Sequence, residues 1–282
     1  MGAGVSKKRD GKLLLQSLPE EQREGIVVVP PEDEELALTT MRRSFCGHGA
    51  PPEFLFDYMF WPLKGHELFK PLPQQSDGSF QQHPDHWACH RWFFRYCLRE
   101  MALTGLVVGI KKQDGEGYDA VMLCRPPGFH DGFVTQLRAA KYAGLTPPWE
   151  SKKKGEENAD KCDQVKARME GCTSMMSKCH KECAPEKHWY VYMLQVDPSA
   201  QYKGLGTRLL NFVTTLADRE GVPTYLETVG DPLVSMYEKK GFKVVKKYPC
   251  LVGMEDKIGG PALTEGGGLT GMKRPPSKQA GA

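Results

Sequence analysis

Apolar residues in the C-terminal half of the chain recur at two alternating spacings. Leu205, Leu209, Phe212, Val213 and Leu216 fall three or four residues apart, with Arg208, Asn211, Thr215 and Asp218 on the opposite face. This predicts an amphipathic helix over 205–220, stopped by Gly221. Segments 189–196, 223–229 and 242–247 read as strands. A second helix is predicted over 232–240, with Asp231 as its cap, Pro232 at its first position, Lys239 and Lys240 in its last turn and Gly241 ending it. In the N-terminal half, 32–46 has a helical pattern with acidic residues first and Arg42 and Arg43 late, and 84–101 is a helix dense in aromatics. Segments 105–110 and 118–123 read as a hairpin turning at Gly115-Glu116-Gly117. After Pro126-Pro127 the pattern lapses into a polar stretch with Pro147-Pro148 and Lys152-Lys153-Lys154, read as a solvated loop.

Strands alternating with helices at this spacing indicate layers around one sheet. The organisation read from the sequence is a flexible arm over 1–25, one domain over 26–276 enlarged by an insertion at 126–187, and a disordered tail over 277–282. Length and composition agree with one soluble globular unit: 282 residues, 40% hydrophobic and 26% charged. A formal net charge of +3 gives no reason to expect a nucleic-acid partner. No apolar run approaches the ~20 residues that span a bilayer, and no secretory segment is read at the start. The nine cysteines are therefore expected as reduced thiols in a cytoplasmic setting.

The cysteines and histidines invite a metal reading, but their spacing opposes it. Cys162, Val165, Met169, Cys172, Met176, Cys179 and Cys183 follow one another at alternating steps of three and four, which makes one apolar stripe of a helix. Read that way, Cys179, His180 and Cys183 belong to a packed helix that walls the neighbouring site. His83, His86 and His90 sit among Trp87, Trp92, Phe93, Phe94 and Tyr96, again the composition of a buried helix. At the N-terminus, Met1-Gly2-Ala3-Gly4-Val5-Ser6 fits the myristoylation pattern with Gly2 as acceptor, and Lys7, Lys8 and Arg9 would add the second signal that peripheral membrane contact needs.

The string Gln201-Tyr202-Lys203-Gly204-Leu205-Gly206-Thr207 places two glycines between a strand and a helix. A helix N-terminus offers unpaired amides, and glycines let the backbone approach a bulky anion, so the string reads as a diphosphate cradle. Four strings stand together in order: Val196-Asp197-Pro198, Gln201 to Gly206, Leu226-Glu227-Thr228, and Tyr237-Glu238-Lys239-Lys240-Gly241-Phe242. In that order and spacing they resemble the GNAT superfamily of acyl-CoA-dependent N-acyltransferases. Over 188–248 the likeness is to the subgroup containing puromycin N-acetyltransferase, and Met272-Lys273-Arg274-Pro275-Pro276 resembles the family's last strand.

The resemblance implies an α+β, three-layer fold: a mostly antiparallel sheet splayed between two central parallel strands, with helices on both faces. It implies acetyl-CoA as co-substrate, while the spacing of the cysteines and histidines leaves no metal expected. Its pantetheine would pair with the backbone of Leu194, Gln195 and Val196, and its diphosphate would meet Gln201, Tyr202, Lys203, Gly204, Leu205, Gly206 and Thr207. Tyr237 matches the family's general acid. The general base is left open between His188, Glu227 and a water chain, because Tyr190 stands where some members carry a glutamate. Leu233 likewise replaces an asparagine the family often uses on its cofactor. The implied acceptor is a small-molecule amine; the alternatives are a protein N-acetyltransferase and a non-catalytic acyl-CoA sensor.

Overall fold

The computed structural model describes residues 10–45, 59, 76, 84–128, 132–150, 159–249, 252–258 and 268–277. Gly2, the Lys7-Lys8-Arg9 cluster, His83, the Lys152-Lys153-Lys154 run and the tail from 278 lie outside the described residues. Among the described residues no helix is long and apolar enough to cross a membrane.

Among the described residues, seven strands form one sheet in the order β1-β2-β3-β4-β5-β7-β6. They are β1 (Ile26–Val28), β2 (Leu106–Lys111), β3 (Tyr118–Arg125), β4 (Trp189–Val196), β5 (Thr224–Val229), β6 (Lys243–Tyr248) and β7 (Leu269–Arg274). Every neighbouring pair is antiparallel except β4 and β5 at the centre. The helices are α1 (Gly11–Gln16), α2 (Glu20–Arg23), α3 (Glu34–Phe45), α4 (Pro84–Thr104), α5 (Phe133–Ala143), α6 (Ala159–Cys183), α7 (Leu205–Glu220), α8 (Asp231–Glu238) and α9 (Glu255–Ile258).

The parallel pair β4/β5 decides the shape of the centre. It is in register only at Trp189, Val191 and the residue between them, opposite Thr224, Tyr225 and Leu226. β4 meanwhile stays paired with β3 as far as Val196, so it is β5 that parts from it. The cause is a bulge: Leu123 pairs with Met193 and Cys124 with Val191, which leaves Tyr192 as an extra residue on β4. A bulge adds local twist to the strand that carries it and reverses its alternation. Accordingly Trp189, Val191, Leu194 and Val196 join the core on the α7 face, whereas Tyr190, Tyr192 and Met193 face the opposite way.

One core lies between the sheet and α3, α4 and the first half of α6, built on Leu38, Met41, Phe94, Val121, Val165 and Met169. The other lies beneath α7 and α8, around Met122, Trp189, Leu209, Phe212, Leu226 and Phe242. The cysteine stripe of α6 is buried as a packed face, with Cys162, Cys172, Cys179 and Cys183 all inaccessible or nearly so.

The structure differs from the sequence reading in four places. The loop expected after Pro127 contains α5, which packs on α4, and the turn that follows it is fastened by Trp92 Nε1 donating to the Gly144 carbonyl at 2.5 Å. Residues 10–24, expected within a flexible arm, instead form α1 and α2, with Leu18 buried and Arg208 and Arg219 donating to the carbonyls of Glu24 and Ser17. Ser277, expected in a disordered tail, donates its amide to Asp218 at 2.7 Å. Gly230, not Asp231, occupies the cap position of α8, and Asp231 instead pairs with Lys247 at 3.2 Å.

Candidate active site

The glycine-motif end of the site is built on an aspartate. Asp197, 1% exposed, closes β4 and accepts from the Ser199 amide at 3.0 Å, the Ser199 hydroxyl at 2.7 Å and Arg43 Nε at 2.8 Å. Burial pushes its carboxyl up, but the bonds from Ser199 and Arg43 outweigh that and hold it below the usual carboxylate range. Arg43 comes from α3, across the sheet, and no motif in the sequence marked it. The turn then brings Tyr202 and Gly204 into the left-handed region, at φ 62° and 78°. Tyr202 is a bulky residue held, fully exposed, at a positive φ that costs on the order of 1 kcal/mol.

At the start of α7 no side chain caps the helix. Its first-turn amides, from Leu205, Gly206 and Thr207, therefore have no cap acceptor and carry the positive end of the helix dipole. A Cβ on Gly206 would meet Val196 Cγ2 at 3.4 Å, so this turn lies directly against the end of β4. From Tyr192 to Val196 the β4 edge facing β5 has no strand partner among the described residues, which suits an extended amide chain added as a further strand.

On the α6 side of the splay, a cluster of rings and thiols gathers beside one carboxylate. Glu227 lies on β5 with its side chain 4% exposed. Tyr190 donates to its Oε2 at 2.6 Å, while Oε1 is buried without a hydrogen-bond partner and lies 3.9 Å from His180 Nδ1. Desolvation raises the Glu227 pKa to about 7, with the bond from Tyr190 and the nearby Tyr225 hydroxyl restraining the rise. Tyr190 and Tyr225 are stacked at 5.8 Å, and the His180 ring stands edge-on to Tyr190 at 4.3 Å. Cys179 lies 3.3 Å from the Tyr225 hydroxyl and 3.9 Å from Cys183.

The close approach of α6 depends on Gly271, the cross-strand neighbour of Glu227. A Cβ there would lie 2.7 Å from Cys183 Sγ and 2.9 Å from Cys179 Sγ. The bare backbone at this position lets α6 lie against β7, which carries His180 over Glu227. His188 is the outer member of the cluster: its Nε2 lies 2.8 Å from His180 Nε2, and its Nδ1 lies 2.6 Å from the Glu186 carbonyl. Of the residues picked out in the sequence, the structure thus brings Glu227, His188 and Tyr190 together. His180 joins them, a residue legible in the sequence only as part of a packed helix.

Tyr237 belongs to the other face. It is 8% exposed, packed with Leu226, Val234 and Phe242, and burial pushes its hydroxyl up to about 12. Glu227 and Tyr237 therefore stand on opposite sides of the sheet, flanking the strands that part.

The model of the acetyltransferase (GNAT) family matches residues 166–242, from within α6 through β4, α7, β5 and α8 to Phe242. The chain contains a GNAT acetyltransferase domain. Among solved structures it is similar to a histone acetyltransferase HPA2 and related acetyltransferase from Corynebacterium glutamicum, with a TM-score of 0.50 at 16% identity over 91% of this chain and 98% of that one. It is also similar to an arylalkylamine N-acetyltransferase 2 from Aedes aegypti, with a TM-score of 0.49 at 13% identity over 89% and 98%. The first shares its fold with this chain. A search of curated proteins finds no match. The splayed, mostly antiparallel sheet is the GNAT fold, and the activity class is acetyl-CoA-dependent N-acetyl transfer. The GNAT domain's co-substrate is acetyl-CoA, and the uncapped α7 amides with the free β4 edge fit it.

Proposed function

We propose that the protein acetylates the primary amine of a small molecule, with Glu227 as general base and Tyr237 as the proton donor on the thiol side. Acetyl-CoA supplies the activated acetyl group as a thioester. The observation that carries the reading is the Glu227 carboxylate: buried beside the splay, with one oxygen unpartnered and a pKa of about 7. A free alkylamine, with a pKa near 10.4, arrives mostly as ammonium. Desolvation in the same site lowers that value while raising that of Glu227, so acceptor and base come close enough in affinity for the proton to pass. Tyr237 keeps its proton across the neutral range and so has one to offer a departing thiolate.

Recessed chemistry favours a slender acceptor. Glu227 lies behind Tyr190, Tyr225 and His180, and α6 covers that face of the sheet. The likeness of Leu226-Glu227-Thr228 to the puromycin N-acetyltransferase-like subgroup supports the same class. The test is thiol release from acetyl-CoA across a panel of small primary amines and lysine-bearing peptides. Small amines should drive turnover, and Tyr237→Phe should lower kcat by roughly 100-fold while leaving coenzyme A affinity unchanged. Turnover with peptides alone would make it a protein acetyltransferase, and turnover with neither would remove the reading.

A further inference from the structure

We propose that His180 and His188 form a proton relay that empties Glu227 to solvent after each amine deprotonation. The inference rests on Glu227 being the base. Its evidence is the line of nitrogens that α6 and the start of β4 bring together, from Glu227 Oε1 to His180 Nδ1 at 3.9 Å and from His180 Nε2 to His188 Nε2 at 2.8 Å.

Hydrogen bonding sets the direction of the line. The Glu186 carbonyl can only accept, so His188 Nδ1 carries the proton of the 2.6 Å bond between them. In a neutral ring His188 Nε2 is then an acceptor, and the proton between the two histidines sits on His180 Nε2. That leaves His180 Nδ1 as a basic nitrogen turned toward the unpartnered oxygen of Glu227. About 1 Å of side-chain movement closes the gap to hydrogen-bond length, and catalytic contacts commonly tighten by this much when substrate binds.

The protons balance as follows. The amine gives one proton to Glu227, which becomes a neutral carboxylic acid. Its O–H bond breaks as His180 Nδ1 takes the proton, restoring the carboxylate. The resulting imidazolium passes its Nε2 proton to His188 Nε2, and His188, half-exposed, releases one to water. His180 is 27% exposed and regains its starting tautomer by exchange with solvent. No oxidant, metal or covalent intermediate is required.

The groups facing the relay from each packed element are consistent with this passage. From β5 come Glu227 and the Tyr225 hydroxyl, from β4 Tyr190, and from α6 itself Cys179, whose thiol burial holds protonated at about 12. Beside His188, Glu186 is tied to Lys273 at 2.7 Å, and burial notwithstanding, its carboxyl is held below the usual range, partly by His188. A carboxylate at the outer end favours a transient positive charge on His188. His180 is thus a positioning and relay residue that acts through Glu227.

The experiment measures kcat with acetyl-CoA and the best small amine for the wild type and for His180→Ala, His180→Asn and His188→Asn. All three variants should lose tenfold or more, on the scale of general acid–base effects. Added imidazole should restore His180→Ala in proportion to its concentration, and His180→Asn should melt as the wild type does. Wild-type rates in both His180 variants would overturn the relay, as would a loss that imidazole leaves unchanged in a folded His180→Ala. Should that variant not fold, the rates of His180→Asn and His188→Asn decide. Failure of the underlying reading is separate: Glu227→Gln would then retain full turnover.

Discussion

A buried carboxylate that must ionise to work is a cost to the fold that holds it. Between its ordinary value near 4.5 and the raised value of about 7, Glu227 binds more protons in the folded than in the unfolded chain. Stability from this group is therefore complete below about pH 4.5 and is lost as pH rises through 7, by roughly 3 kcal/mol. Glu227→Gln keeps an acceptor for Tyr190 and offers an amide donor to His180 without the charge. At pH 8 the variant should withstand more denaturant than the wild type, by up to about 3 kcal/mol, and the two should converge below about pH 4.5. Chemical denaturation at the two pH values reads this directly. At this scale the sequence named Glu227, His188 and Tyr190 but left the base undecided. Family order alone cannot say which carboxylate becomes buried, because that depends on what covers it. His180 was hidden because its chemistry comes from a helix packing across the sheet, and its spacing reported only the packing.

Among the elements, three local features place the site. The bulge at Tyr192 parts β4 from β5, the uncapped turn at Gly204 opens α7, and Gly271 admits α6. A methyl at Gly271 would press on two sulfur atoms at under 3 Å, so Gly271→Ala should destabilise by roughly 1–3 kcal/mol through overpacking. In a Cys183→Ala background, where the nearer sulfur is gone, the same change should cost less, and a double-mutant denaturation cycle measures the coupling. The elements around the glycine motif were legible because a strongly periodic helix follows a strand and stops at Gly221. α5 was not, because Phe133, Val134 and Leu137 are exposed while small Ala139 is buried. Its burial pattern carries no large apolar stripe. α1 and α2 are too short to show a period, and Leu18 between them is the residue that is buried. The bulge left no mark, since inserting one residue in an apolar run changes nothing a pattern can register.

Across the described residues, the order β1-β2-β3-β4-β5-β7-β6 puts the one parallel pair at the centre and carries Glu227 and Tyr237, the proposed base and acid, to opposite faces of it. The Arg43–Asp197 pair ties the helix layer on the α6 face to the turn that opens α7 on the other, so the two halves of the site are held as one body. Within that frame Glu227 is the proposed acceptor of the amine's proton. The most direct test of that role is the pH dependence of kcat at saturating acetyl-CoA and amine, for the wild type and Glu227→Gln. The wild-type rate should climb about tenfold per pH unit and level off above roughly pH 7, and the variant should be slower by about 100-fold with no inflection there. A variant that keeps both the wild-type rate and the same inflection would contradict it.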